Sequence, residues 1–237
     1  MSKLSEFSPA LVIFDKDGTL IDFHAMWGGW IAEVGRQLEA ATGLSVRNRL
    51  FEIMKFDPVS GKVSDGPLAG TTMENIRRLT AKTLHDSGLA ADSVEGAMRA
   101  AWHLPDPVAL ARPLADLPVL FGNLRRGGAK IAVATIDDRE PTQATFDGLG
   151  VASLIDAMVC ADDGLPIKPA PDMILTLCKR LGVTPAKAAM VGDSTQDLQM
   201  ARAAGVGLAV GVSSGVTSVR FLLPLADVVL ASIAELV

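Results

Sequence analysis

The chain has 237 residues, of which 49% are hydrophobic and 21% are charged. This balance is typical of a globular protein and excludes a disordered or fibrous one. The formal net charge is -5, and Lys and Arg are scattered along the chain, so we expect no nucleic acid partner. The apolar runs are much shorter than the roughly 20 residues that cross a bilayer. We therefore expect no membrane partner either.

The N-terminal segment, residues 1–10, has no apolar run long enough for a signal peptide, so we expect a cytoplasmic location. A reducing compartment disfavours disulfides, and Cys160 and Cys178 are accordingly expected to be free. The three histidines show no spacing typical of metal ligands. A surface or packing role is the simpler interpretation of each histidine, and His24 is the exception, because it lies just beyond the segment 11–20.

Short apolar runs recur along the chain and are typical of buried strands. They lie at residues 11–14, 130–135, 157–160, 188–191, 207–212 and 227–230. Helix-like segments lie between them, at residues 118–126, 141–149, 171–181 and 196–204. Because strand and helix alternate, the sequence predicts an α/β fold whose parallel sheet is covered by helices on both faces.

The alternation is interrupted between Asp22 and about Arg112, where we find no convincing strand and expect mostly helix. A loop rich in turn formers, residues 56–70, precedes a predicted helix with Thr71 as N-cap and Glu74 completing a capping box. We therefore divide the chain into a core of residues 1–22 and 113–237 and an inserted helical domain of residues 23–112.

Two carboxylates follow the first predicted strand, where an apolar run ends in a glycine turn. Asp15 and Asp17 are two positions apart and are followed by Gly18. Ligands of open parallel sheets bind at the carboxyl ends of the strands, so this position suits an active site. Taken alone, the segment fits an ordinary Asp-Gly turn equally well.

Three further strand ends carry polar residues that suit one task. Thr135 ends the second strand, Lys168 precedes two prolines after the third, and Asp193 and Asp197 follow the fourth. Each has a simpler interpretation, such as a solvated lysine or a helix N-cap. Occurring together at successive strand ends, these residues favour a common site for a phosphoryl group.

This ordered set of residues resembles the haloacid dehalogenase (HAD) superfamily, specifically its phosphatase branch with a helical cap inserted after the first motif. The segment 204–215, with its Gly-Val-Gly and Ser-Ser-Gly, is similar to the phosphoglycolate phosphatase-like group. The resemblance implies a Rossmann-like core, with residues 23–112 as an α-helical cap domain.

The resemblance also implies roles for the acidic residues. Asp15 would be the nucleophile that forms an aspartyl phosphate, and Asp17 the general acid and then the base. Mg²⁺ would be held by Asp15, the backbone carbonyl of Asp17 and Asp193, because it prefers hard oxygen ligands. Asp197 would orient these metal ligands without binding the metal itself.

Thr135 and Lys168 would hold the phosphoryl oxygens of the substrate. The next residue, Ile136, stands where many relatives carry Asn. Its backbone amide can still bind phosphate, but a side-chain contact is lost. The substrate is therefore expected to differ from the substrates of those relatives.

Within the predicted cap, either residues 23–27 or residues 60–62 are expected to reach the site. Core packing is the simpler interpretation of Trp27 and Trp30. Three cations are candidates for a second anionic group of the substrate, although solvated surface is the simpler interpretation for each: Lys62, Arg47 and Arg77.

The sequence therefore predicts a magnesium-dependent phosphatase acting on a small-molecule phosphate monoester, with phosphoglycolate or a sugar phosphate as the candidates. A phosphomutase uses the same core and is the first alternative, and a non-catalytic binding protein on the same fold is the second. Dehalogenase and phosphonatase chemistry is disfavoured because Asp17 is present. We expect a monomer or a homodimer.

Overall fold

The computed structural model describes residues 7–236. Residues 1–6, most of the segment searched for a signal peptide, and residue 237 lie outside the described range. The chain divides into two compact units, one formed by residues up to Phe23 and from Ala111 onward and the other by His24–Leu110. Between residues 7 and 236, no helix has the length and apolar character that a bilayer crossing requires, and the cytoplasmic location stays a prediction.

The elements are named here in chain order. The strands are β1 (Leu11–Phe14), β2 (Phe56–Asp57), β3 (Lys62–Val63), β4 (Lys130–Ala134), β5 (Ala157–Val159), β6 (Ala188–Gly192), β7 (Leu208–Val212) and β8 (Val228–Leu230). The helices are α1 (Phe23–Thr42), α2 (Arg47–Met54), α3 (Pro67–Gly70), α4 (Met73–Asp86), α5 (Ala91–Ala101), α6 (Leu117–Arg126), α7 (Arg139–Gly148), α8 (Asp172–Leu181), α9 (Thr195–Ala204) and α10 (Val219–Leu222).

The first unit is built on a six-stranded parallel sheet with the order β5-β4-β1-β6-β7-β8. On one face, residues such as Ile13 and Met190 form a buried core with residues of α8 and α9, among them Leu177. On the other face, the ring of Phe14 lies 5.7 Å from that of Phe121 in α6. Helices thus pack on both faces, and the predicted fold class is confirmed.

The register of the sheet brings three strand ends to the same level. Phe14, the last residue of β1, is aligned with Val133 of β4 on one side and Val191 of β6 on the other. Because the strands are parallel, the residues that follow them emerge at one edge of the sheet. This edge is where Asp15, Thr135 and Asp193 begin their turns.

The second unit has an aromatic interior. Trp27 and Trp30 of α1 are buried, and their rings meet edge to face at 5.6 Å. Trp30 makes a similar contact with Trp102 at 5.3 Å and donates its indole N–H to the carbonyl oxygen of His103. The packing interpretation of both tryptophans agrees with this geometry.

The expectation that the insert holds no strand is wrong, because β2 and β3 form an antiparallel hairpin. Two residues per strand are too few for a period-2 pattern to show in the sequence. The hairpin packs closely on α1, since a Cβ at Gly28 would lie 2.6 Å from the carbonyl oxygen of Gly61. The backbone N–H of Val63 also donates to Nδ1 of His24 at 3.3 Å.

The predicted N-cap of α4 is one residue too early. The hydroxyl of Thr72, not that of Thr71, accepts from the backbone N–H of Asn75 at 3.3 Å. Thr71 instead accepts from the side-chain amide of Asn75. The third residue of the helix is therefore Asn75 and not Glu74, so the predicted capping box does not form.

We expect Thr72→Ala to lower the free energy of unfolding by about 1 kcal/mol, because it removes the acceptor for a helix N–H. Thr71→Ala is the matched control and should cost clearly less, since only a side-chain contact is lost. Urea unfolding of both variants measures the difference. The opposite order would contradict the cap assignment.

Candidate active site

The sheet itself positions the first two candidate residues. The backbone N–H of Asp15 donates to Val191 at 2.9 Å, and that of Thr135 donates to Val159 at 3.0 Å. Each residue thus continues the hydrogen bonding of the sheet one position past its strand. Both side chains are buried. Their carboxylate and hydroxyl groups are therefore held by the rigid part of the fold.

Lys168 joins two of the predicted acidic residues. Its ammonium lies 2.5 Å from Oδ1 of Asp15 and 2.6 Å from Oδ1 of Asp197, and all three side chains are buried. The other oxygen of Asp197 accepts from the backbone N–H and the hydroxyl of Ser194 at the start of α9. Asp197 thus completes a helix capping box and also fixes Lys168 beside Asp15.

Asp193 is held by residues that the sequence reasoning missed. Its Oδ1 accepts from the hydroxyl of Thr19 and its Oδ2 from the backbone N–H of Val216, both at 3.2 Å. A Cβ at Gly215 would lie 1.8 Å from Oδ2 of Asp193, so only glycine lets this loop approach the carboxylate. Gly18, at φ +91°, also approaches closely, since a Cβ there would lie 2.6 Å from Oδ2 of Asp193. Gly18 follows Asp17 directly and Gly215 ends the segment 204–215. Their place in these two segments was the signal in the sequence that they belong to the site.

The carboxylate oxygens form a plausible metal site. One oxygen from each of Asp15, Asp193 and Asp197 lies within 4.8 Å of the others. In the part of the chain that the structure describes, these three carboxylates face one ammonium, that of Lys168. A divalent cation would balance the excess negative charge, and hard oxygen donors suit it. The oxygens of Asp197 also contact the ammonium of Lys168 and the N-terminus of α9.

Burial and mutual repulsion disturb the titration of these acids. Burial, opposed by Lys168 and assisted by Asp197, raises the pKa of Asp15 to about 7. Burial, together with Asp15 and Asp197, also raises the pKa of Asp193 well above its usual value. Both shifts show that the cluster without a metal disfavours full ionisation.

Lys16 is a second buried cation at this edge, and the sequence reasoning missed it. Its side chain is 0% exposed, and its ammonium lies 2.8 Å from a carboxylate oxygen of Asp17 and 2.9 Å from one of Asp137. Burial alone would lower the pKa of Lys16, but the two carboxylates more than offset this and raise it. A lysine between two aspartates at a buried strand end was the available signal.

The turn after β4 shapes the predicted phosphate-binding segment. The hydroxyl of Thr135 accepts from the backbone N–H of Asp137 at 3.1 Å, which leaves its own hydrogen available to donate. Ile136 between them is half-buried. The structure therefore brings the predicted site residues together at the carboxyl edge of the sheet. They are those at positions 15, 17, 135, 168, 193 and 197.

Comparison with known proteins identifies the family. The family model of haloacid dehalogenase-like hydrolases matches residues 9–205. The chain belongs to this family. The predicted family and enzyme class are therefore confirmed.

The relatives of the chain are similar over most of their length. A phosphoglycolate phosphatase of Rhodospirillum rubrum is 32% identical over 205 residues, covering 85% of this chain and 79% of the relative. A HAD phosphatase from Thermococcus onnurineus superposes with a TM-score of 0.66 at 23% identity, with 95% of each chain covered. A β-phosphoglucomutase from Clostridium difficile gives 0.63 at 16% identity, covering 97% of this chain and 93% of that one. At such low identity, the last two similarities show only that the fold is shared.

In the presence of a chelator, we expect the free energy of unfolding to fall as pH rises from about 4 to about 7. The carboxyl of Asp15 moves from an ordinary pKa of 3.8 to about 7 on folding, so in this window the folded protein binds more protons than the unfolded one. Asp193 acts in the same direction. Chemical denaturation at several pH values measures the slope.

Asp193→Asn should make this fall shallower, because it removes one of the buried carboxylates. Asp147→Asn, on the exposed side of α7, is the matched control and should leave the slope as in the wild type. A slope that is the same in all three proteins would contradict the electrostatic description of the cluster.

Proposed function

We propose that the chain is a magnesium-dependent phosphatase that hydrolyses a small-molecule phosphate monoester through an aspartyl-phosphate intermediate. The observation that carries the proposal is the buried carboxylate of Asp15, in contact with the ammonium of Lys168 and beside Asp193. Phosphoglycolate is the first candidate substrate, because a relative at 32% identity is a phosphoglycolate phosphatase. A sugar phosphate is the second.

In the first step of the proposed reaction, a carboxylate oxygen of Asp15 attacks phosphorus and the bond to the ester oxygen breaks. Asp17 gives its proton to that leaving oxygen. In the second step Asp17 takes a proton from water, whose oxygen attacks phosphorus and releases Asp15. Throughout, Lys168 and the hydroxyl of Thr135 donate to the phosphoryl oxygens, where negative charge is concentrated.

The proposed metal ligands are Asp15, Asp193 and the backbone carbonyl of Asp17, a set of hard oxygens that suits Mg²⁺. Mg²⁺, when bound, supplies positive charge that reduces the repulsion between a carboxylate and a phosphate dianion. Thr19 and Val216 hold both oxygens of Asp193 in place for this role. Without a metal ion, the three negative charges of the buried carboxylates would exceed the one positive charge of Lys168.

We further propose that the insert acts as a cap that selects the leaving group and limits the access of water. Among its candidate cations, Arg47 pairs with Glu39 and Arg77 with Glu95. These two are therefore better explained as structural. Lys62, exposed on the β2–β3 hairpin, is the candidate that we retain for a substrate contact.

A screen of phosphate monoesters with Mg²⁺ tests the proposal, with phosphoglycolate, sugar phosphates, nucleotides and an aryl phosphate as substrates. We expect release of inorganic phosphate that a chelator abolishes, and none from Asp15→Asn. Absence of phosphate release from every ester would overturn the proposal. Binding of an ester without turnover would then favour the non-catalytic alternative.

A phosphomutase is the second candidate, because it would use the same core, and the fold is shared with a β-phosphoglucomutase. The two activities share Asp15 and differ in where the phosphoryl group goes. A mutase returns it to a sugar, so a sugar phosphate would be isomerised with no net phosphate release. Parallel assays of free phosphate and of sugar phosphate isomers separate the two.

Asp17→Asn should cost roughly 10² to 10⁴ in rate on esters with poor leaving groups, because proton transfer is lost. An aryl phosphate with an acidic phenol needs little protonation, so its first step should suffer least. The second step should still be slow, since water then lacks a base. Stopped-flow absorbance should show a burst of phenol and a slow steady state, and a single slow phase would contradict the assigned role.

Lys62→Ala should raise KM for the physiological ester while leaving turnover of a small aryl phosphate nearly unchanged, because the cap is expected to contact only the leaving group. Lys82→Ala is the matched control, since Lys82 is an exposed lysine of the same insert that pairs with Asp86. Steady-state kinetics on both substrates measure the effect. Equal losses on the two substrates would show that the hairpin only supports the fold.

A further inference from the structure

The ammonium of Lys16 links two turns that are distant in sequence. It lies 2.8 Å from Asp17 in the turn after β1 and 2.9 Å from Asp137 in the turn after β4. The lysine side chain is 0% exposed, and the two carboxylates are 13% and 10% exposed. Three charged groups are thus largely withdrawn from water at the edge of the sheet that holds Asp15.

Asp137 is a fixed anchor for this contact. Its backbone N–H donates to the hydroxyl of Thr135 at 3.1 Å, and its carbonyl oxygen accepts from the N–H of Ala161 at 3.0 Å. Its Oδ1 accepts from the N–H of Asp138 at 2.9 Å, while Oδ2 faces Lys16. The orientation of Asp137 is therefore set by the turn, and Lys16 extends that constraint to Asp17.

The burial of this group favours a role beyond stability. Withdrawing ions from water costs free energy that their mutual attraction offsets only with good geometry, and apolar residues of similar size often stabilise a protein as well. The carbonyl of Lys16 already fixes its own turn by accepting from the N–H groups of Leu20 and Ile21. Its ammonium is not needed for the turn.

We propose that Lys16 is a positioning residue that holds the carboxylate of Asp17 in a fixed place relative to the phosphate-binding turn at Thr135. This inference rests on the proposed function, because Asp17 needs such placement only if it transfers protons to and from the ester. The reason is geometric: displacement of a reacting group by about 1 Å can cost on the order of 10²-fold in rate.

Asp137→Asn tests the proposal with little change of size, since it removes the charge and leaves one oxygen, which can accept from Lys16 or from the N–H of Asp138 but not from both. Lys16→Met removes the ammonium itself. For both variants we expect a loss of about 10-fold to 10²-fold in kcat/KM, which reports the first step, on an ester with a poor leaving group, within the range that proton transfer contributes. The burst of phenol from an aryl phosphate with an acidic phenol, which reports the first step alone, should slow several-fold less, while the second step should slow equally for every ester.

A double-mutant cycle separates positioning from general damage. If Lys16 and Asp137 act through Asp17, then Asp137→Asn should add no further loss to Asp17→Asn. Arg139→Met is the matched control, because Arg139 begins the helix after the same turn and pairs with Asp163. It should change the rates on both substrates equally or leave them unchanged.

Equal losses in the rate of the first step across leaving groups, or additive losses in the double mutant, would overturn the positioning role. If Lys16→Met does not fold, Asp137→Asn and the cycle decide alone. Failure of the wild-type protein to release phosphate from any ester would instead overturn the proposed function. If the wild-type enzyme is active but the variants lose the same factor with good and poor leaving groups, only the inference about Lys16 is overturned.

Discussion

Excess negative charge buried at one edge of the sheet is the constraint on which the site depends. Asp15, Asp193 and Asp197 lie within a few ångströms of each other, and among residues 7–236 Lys168 is the cation that contacts this cluster. Burial disfavours the charged form of Asp15 and repulsion from Asp197 adds to this, so the pKa of Asp15 rises to about 7 although Lys168 opposes the shift. A divalent cation would balance this excess negative charge.

The fold resists this repulsion with contacts from distant parts of the chain. Lys168 is 153 residues from Asp15 in sequence, and Thr19 is 174 residues from Asp193. A parallel sheet brings such residues together because every strand ends at the same edge. The capping box of α9 and the close approach of Gly215 then fix individual carboxylate oxygens. Sheet register sets the coarse geometry of the site, and turn chemistry sets the fine geometry.

The sequence was sufficient to predict the sheet and most of the candidate residues. Buried parallel strands read as apolar runs, and the polar residues that follow them, such as Asp15 and Thr135, mark the ligand edge. The contacts of Lys16 could not be read in the same way, because they depend on how the turns after β1 and β4 fold towards each other. The β2–β3 hairpin was too short to show a pattern, and two adjacent threonines left the N-cap of α4 ambiguous.

The central claim is that Asp15 carries the phosphoryl group during turnover. The most direct measurement is to mix Asp17→Asn with an aryl phosphate and Mg²⁺, quench with acid during the slow phase, and map the phosphorylated peptide by mass spectrometry. The account predicts one acyl phosphate in the peptide that contains Asp15, absent when Asp15→Asn is added to the variant. Phosphate on Asp193, on Asp197 or on any other residue, or turnover with no covalent phosphate at any time, would contradict it.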